Sequence, residues 1–122
     1  MSLLSNQAIE FRHAYGIPNS LSGRTRQRNL IVEEFKEFLD ADTNMVLMHP
    51  QDREACLKEL ADLVYVCAQY AENMDWDLEQ ALRRVHKSNM SKLGEDGKPI
   101  KREDGKVLKG PNYQPPDLSD LV

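Results

Sequence analysis

The chain has 122 residues, of which 40% are hydrophobic, and sixteen Lys+Arg against twenty Asp+Glu leave a net charge of -4. This fits one domain with an ordinary core, and it disfavours general nucleic-acid binding, which neutralises phosphates with a basic surface. No run approaches the roughly 20 apolar residues of a membrane span, and Met1 to Asn6 lacks the basic and apolar regions of a secretory signal, so the expectation is a cytoplasmic protein with neither membrane nor nucleic acid as a partner.

Leu4, Ala8, Phe11 and Tyr15 recur at helical spacing, which predicts a first helix from about Leu3 to Tyr15. Gly16-Ile17-Pro18 ends it, and Leu21 to Gly23 reads as loop. A second helix is predicted from about Thr25 to Ala41, with an apolar stripe of Ile31, Phe35 and Phe38 flanked by Leu30 and Leu39. His49-Pro50 breaks the pattern. The third helix is predicted from about Asp52 to Asn73 and is apolar almost all round between Leu60 and Ala71. Such a helix is central in a bundle or covered by a second subunit. A homo-oligomer, dimer or tetramer, is therefore expected, because a core of about 90 residues is small for a monomer.

Cys56 and Cys67 both fall on this third helix, about 16 Å apart along its axis. A disulfide needs Cα atoms within about 7 Å, so both read as reduced, small core residues. Trp76, near the next helix start, reads as a packing anchor. Asp77 with Gln80 resembles a capping box for a fourth helix. That helix carries Leu78, Ala81, Leu82 and Val85 on one stripe and runs to about Met90.

After Leu93 the chain turns charged and turn-rich. Asp96-Gly97-Lys98 and Asp104-Gly105-Lys106 look alike, and a short hairpin is expected around the second. Gly110 to Val122 is Pro-rich and reads as extended. With no core of its own, the stretch Gly94 to Lys109 is expected to be mobile until a ligand orders it. The domain reading is residues 1–93 as a helical, metal-binding catalytic domain and 94–122 as an extension of the same domain. The fold class is all-α, a four-helix bundle with a short irregular or hairpin tail.

The chemistry lies in carboxylates. Glu34 and Glu37 are one turn apart on the second helix and point the same way, towards its apolar side. Glu33 projects about 100° from Glu34. The third helix repeats the arrangement with Glu59 and Asp62, embedded in the most apolar stretch of the chain. A lone Glu-x-x-Glu is usually a solvated helix face. Two ionised carboxylates among leucines and valines are different, because their desolvation must be offset. A hard divalent cation does this, and Mg²⁺ accepts oxygen ligands. Carboxylate pairs on facing helices are a known way to build a metal site inside a bundle. Asp40-x-Asp42-x-Asn44 starts like a calcium loop but has Met45 and Gln51 where Gly and Glu are required. His13, His49 and His86 are too scattered for zinc.

Glu34-x-x-Glu37 followed by Glu59-x-x-Asp62, with their flanks Leu30 to Glu37 and Lys58 to Tyr65, resembles the signature of the all-alpha nucleoside triphosphate pyrophosphohydrolases. This superfamily includes MazG, the all-alpha dUTPases and dCTPases, and phosphoribosyl-ATP pyrophosphohydrolase. Phe11-x-x-Ala14-Tyr15-Gly16-Ile17-Pro18 ahead of the carboxylates and Val85 to Leu93 behind them extend the resemblance over about residues 8 to 110. It implies that Glu34, Glu37, Glu59 and Asp62 hold Mg²⁺, with Mn²⁺ as a substitute. It implies Glu33 as the residue that orients or deprotonates the attacking water, and Asn89 and Lys92 as nucleotide contacts. The reaction would cleave a (deoxy)nucleoside triphosphate between its α- and β-phosphates, giving a monophosphate and pyrophosphate. Two alternatives stand beside it. One is phosphoribosyl-ATP hydrolysis in histidine synthesis, against which Val66 stands where that family leads one to expect a histidine. The other is a catalytically silent helical interaction module.

Overall fold

Helix α1, Leu3–Ala14, opens on Ser2, whose side chain accepts a hydrogen bond from the Ser5 N–H at 3.3 Å. A serine in this role satisfies one of the N–H groups that a helix start leaves unpaired. The helix closes through Gly16, held at φ +64°, while the Ile17 N–H returns to the Arg12 carbonyl at 2.8 Å. Glycine adopts this left-handed conformation without a Cβ clash. These are coordinates of a computed structural model, which describes residues 2–122.

The expected loop at Leu21–Gly23 is a 3₁₀ turn, capped by the Ser20 hydroxyl. It leads directly into α2, Arg24–Thr43. Helix α3, Pro50–Asn73, starts at the proline instead of after it. Proline suits a first helical position because the N–H it lacks would be unpaired there anyway. The Asp52 carboxylate accepts the Val46 N–H at 2.9 Å and ties the preceding turn to this helix start. After α3, Asp75 takes φ +60°, and Trp76 packs against Tyr70 with ring centroids 6.0 Å apart. The anchoring role read for Trp76 is thus realised.

The chain divides into two compact units, one ending at Leu78 and one spanning Glu79–Val122. In the first, α1 and α2 both pack on α3. The buried side of α2 runs Gln27, Ile31, Glu34, Phe38, Ala41, and that of α3 runs Asp52, Cys56, Glu59, Leu63, Val66, Tyr70, Asn73. Both follow the alternating steps of three and four that line one side of a helix. The expected α2 stripe needs correcting: Phe35 is 47% exposed and Leu39 is also exposed. Gln27 and Glu34 share the inward side with Ile31, Phe38 and Ala41. Cys56 and Cys67 are free, as expected, but only half-buried.

Among the described residues, the buried apolar residues of this unit are all small: Ala8, Ala68 and Ala71. Beside them is a buried polar network that the sequence reading missed. Arg12, 3% exposed, donates to Asn19 Oδ1 at 2.6 Å, the Pro18 carbonyl at 3.0 Å, Gln69 Oε1 at 3.3 Å and Asn73 Oδ1 at 2.9 Å. Asn73 also accepts the Ser20 N–H and donates to the Ser20 carbonyl. The network fastens the α1–α2 connection to the C-terminal end of α3.

The second unit holds α4, whose helix spans Leu78–Met90, and the C-terminal segment. The hairpin expected around Asp104-Gly105 forms: β1 (Ile100–Lys101) pairs antiparallel with β2 (Val107–Leu108). The look-alike pieces use one device. Asp96 accepts the Lys98 N–H and Asp104 accepts the Lys106 N–H, while Gly97 and Gly105 take positive φ. Aspartate bonding the backbone two residues on is a common turn former. The remaining segment is tied back to α4 and its end, by the Gly110 N–H on the Lys92 carbonyl, by Gln114 on the Ser91 hydroxyl, and by Asp120 on Arg84. Among the described residues there are four α-helices and two two-residue strands, so the fold is all-α. None of these helices is long and apolar enough to cross a membrane.

Candidate metal centre

Glu34 lies mid-way along the buried side of α2, between Ile31 and Phe38. Glu59 occupies the equivalent place on α3, between Cys56 and Leu63. Packing α2 on α3 therefore brings two carboxylates face to face, and Asp62 joins them one turn further along α3. Ligand oxygens of Glu34, Glu59 and Asp62 all lie within 4.8 Å of one another. Glu37, more exposed, is near enough for its carboxyl to raise that of Glu34. Three of the four predicted ligands thus converge, and Glu37 lies outside that group.

The electrostatics are those of a crowded acidic site. The Glu34 carboxyl is pushed from 4.5 up to about 7, first by burial, then by the carboxyls of Glu37, Asp62 and Glu59. Burial penalises the ionised form, and each neighbouring carboxylate adds repulsion. The Oε2 atoms of Glu34 and Glu59 are buried with no hydrogen-bond partner. A buried oxygen without a partner is costly. A divalent cation fits these residues: the donors are all hard oxygens, two of them lack any other partner, and the shared negative charge is what such an ion relieves.

Lys58 also belongs to this site and escaped the sequence reading. Its Nζ lies 2.8 Å from Asp62 Oδ2 and 3.4 Å from Glu59 Oε1. The signal was present, since Lys58 and Asp62 are four residues apart on one helix. Glu33 is exposed on α2, where it shares a shallow surface with Asn29, Lys36 and Glu37. Asn89 and Lys92 belong to the second unit. Asn89 is exposed near the end of α4, and its carbonyl accepts the Lys92 N–H.

An all-helical chain that sets Glu-x-x-Glu of one helix against Glu-x-x-Asp of the next has the arrangement of a nucleotide pyrophosphohydrolase. Residues 10–89 match the family model described as phosphoribosyl-ATP pyrophosphohydrolase. The match covers most of the chain, and the chain belongs to this family, within the MazG-like all-alpha superfamily of nucleoside triphosphate pyrophosphohydrolases. It is accordingly a hydrolase acting on acid anhydrides, of a family that depends on a divalent metal. The matched region includes Val66, so the missing histidine does not remove the chain from the family. Comparison with individually curated proteins gives no match.

Proposed function

We propose that the protein is a Mg²⁺-dependent nucleoside triphosphate pyrophosphohydrolase of the cytoplasm, cleaving the α–β phosphate bond to release a nucleoside monophosphate and pyrophosphate. The observation that carries this is the convergence of Glu34 of α2 on Glu59 and Asp62 of α3, with buried oxygens of Glu34 and Glu59 left unpartnered. Glu34, Glu37, Glu59 and Asp62 hold the metal, with Mn²⁺ able to replace Mg²⁺. When bound, the ion neutralises charge on the transferring phosphoryl group and its leaving group. Glu33, outside the ligand set and open to solvent, orients a water and takes its proton. Asn89 contacts the nucleotide, and Lys92 supplies a point charge to phosphate.

A second substrate has specific support from the description of the matching family. Phosphoribosyl-ATP is itself a triphosphate, and the same carboxylates and the same water would serve it. The silent-module alternative is set aside, because the family is a family of hydrolases. A panel of nucleoside triphosphates, deoxynucleotides and phosphoribosyl-ATP, scored for monophosphate and pyrophosphate together, tests the reading. Equal yields of the two products, abolished by EDTA, are expected. Release of orthophosphate, or no turnover of any substrate with Mg²⁺ or Mn²⁺, would overturn it.

A further inference from the structure

We infer that Lys58 is a resident counter-cation of the carboxylate site, holding the place of positive charge until a divalent ion binds and competing with that ion for it. The inference rests on the reading that Glu34, Glu37, Glu59 and Asp62 hold a metal, and adds a determinant of how tightly they do so.

The geometry is specific. Lys58 precedes Glu59 by one residue and Asp62 by one turn, and its ammonium bridges both carboxylates at 3.4 and 2.8 Å. Both acceptors belong to the group whose oxygens converge within 4.8 Å. The lysine side chain is 66% exposed, whereas those of Glu59 and Asp62 are 20% and 37% exposed. The ammonium therefore lies at the outer side of the cluster. It leaves Glu34 Oε2 and Glu59 Oε2 without partners. One surface ammonium neutralises the rim but not the interior of the site.

A divalent ion drawn in by the interior oxygens would lie within a few ångströms of Lys58 Nζ. Two positive centres that close repel, and a separation well under the Debye length of about 8–10 Å leaves salt little room to screen them. Lysine can yield without local unfolding, because its charge is carried on a flexible four-carbon stem. Metal entry thus requires the ammonium to leave Asp62. Part of the attraction between metal and carboxylates is spent on breaking contacts that are already made. An ordinary surface ion pair between Lys58 and Asp62 would have no such consequence.

Calorimetric titration of Mn²⁺ into the full chain tests this, with Lys58→Gln, Lys58→Arg and Glu59→Gln alongside wild type. Melting of each protein in EDTA and in saturating Mn²⁺ gives a second readout that does not depend on turnover. Gln and Arg are both good helix formers, so α3 itself should tolerate the changes. Lys58→Gln should bind Mn²⁺ roughly fivefold to tenfold more tightly, as expected for removing a like charge at close range. It should melt below wild type in EDTA, and the gap should close in saturating Mn²⁺. Lys58→Arg should behave as wild type. Unchanged or weakened Mn²⁺ binding in Lys58→Gln, while wild type binds and Glu59→Gln does not, would overturn the role of Lys58 and leave the metal site standing. Absence of Mn²⁺ binding in wild type would remove the metal reading, and this inference with it.

Discussion

Glu34 and Glu59 occupy positions that a helical seam normally gives to leucine or isoleucine. The structure tolerates them there only with their charge managed, and two measurable consequences follow. Burial, Glu37 and the other nearby carboxylates raise the Glu34 carboxyl from 4.5 to about 7. The folded, metal-free protein therefore keeps a proton that the unfolded chain releases above 4.5. Linkage then makes stability fall as pH rises from about 4.5 to about 7, with the full deficit present above it. Melting temperatures in EDTA should be higher at pH 5 than at pH 8, and equal values would contradict the assignment. Millimolar Mg²⁺ should restore stability at pH 8 by about 2.7 kcal/mol if it reaches a hundredfold excess over Kd. Glu59→Gln should blunt that response. Glu33 is the contrasting case, one residue away and solvent-exposed. Glu33→Gln should cut turnover by roughly 10²-fold, the scale of a lost general base, while Mn²⁺ affinity measured by calorimetry stays unchanged. A variant with near-normal turnover would return Glu33 to the status of a solvated glutamate.

At the scale of elements, the first unit combines apolar burial with a polar fastening. Its buried apolar residues are alanines, which let helices approach closely but contribute little area. Asn73, 4% exposed, links Arg12 of α1 to Ser20 of the connection and holds both at the end of α3. Asn73→Ala would leave a guanidinium N–H and two backbone groups short of partners. A loss of about 2–4 kcal/mol is expected from denaturant unfolding, since buried donors and acceptors are expensive to orphan. A loss below about 0.5 kcal/mol, typical of surface changes, would show that the network is dispensable. The second unit depends on a close approach of backbone at Gly110. A Cβ there would collide with the carbonyl oxygens of Lys92 and Leu93. Gly110→Ala should therefore loosen the return of the segment to α4 and expose the Gln114 N–H to rapid hydrogen exchange. Exchange as slow as in wild type would mean that the close contact can be relieved by a small shift. If Lys92 is the proposed phosphate contact, Lys92→Glu should raise KM for the triphosphate and spare Mg²⁺ stabilisation, because it removes no proposed metal ligand; an unchanged KM in a kinetic titration would return Lys92 to the solvated surface.

At the scale of the whole molecule, the described residues leave apolar side chains of α3 open. Leu57 and Leu60 and Val64 of α3 are exposed, and with Leu4 and Ala8 of α1 they line a groove of about 380 Å³. Contiguous apolar surface on a small protein usually marks an interface. We propose that a second copy of the chain covers it, giving the homodimer or homotetramer expected from the composition of α3. Light scattering at micromolar concentration should give a multiple of the 14.0 kDa chain mass. Leu60→Lys should shift it towards the monomer. A wild-type mass of a single chain would dispose of the proposal.

Periodicity, cap residues and turn formers determined the helices to within about two residues, because these signals act between neighbours in sequence. The twin Asp-Gly-Lys turns and the carboxylate pairs were legible for the same reason: a three-residue spacing on a helix is itself a statement about direction. Tertiary structure decided which turns of α2 and α3 face each other, and therefore that Glu34 meets Glu59 and Asp62 while Phe35 and Leu39 stay outside. It also decided that Arg12 is buried among Gln69 and Asn73, partners 57 and 61 residues away in the chain. No local pattern encodes such pairings, since an inward arginine and a solvated one look the same in sequence. The difference arises only when a second helix supplies the acceptors, and that depends on how the apolar faces of α1, α2 and α3 come together.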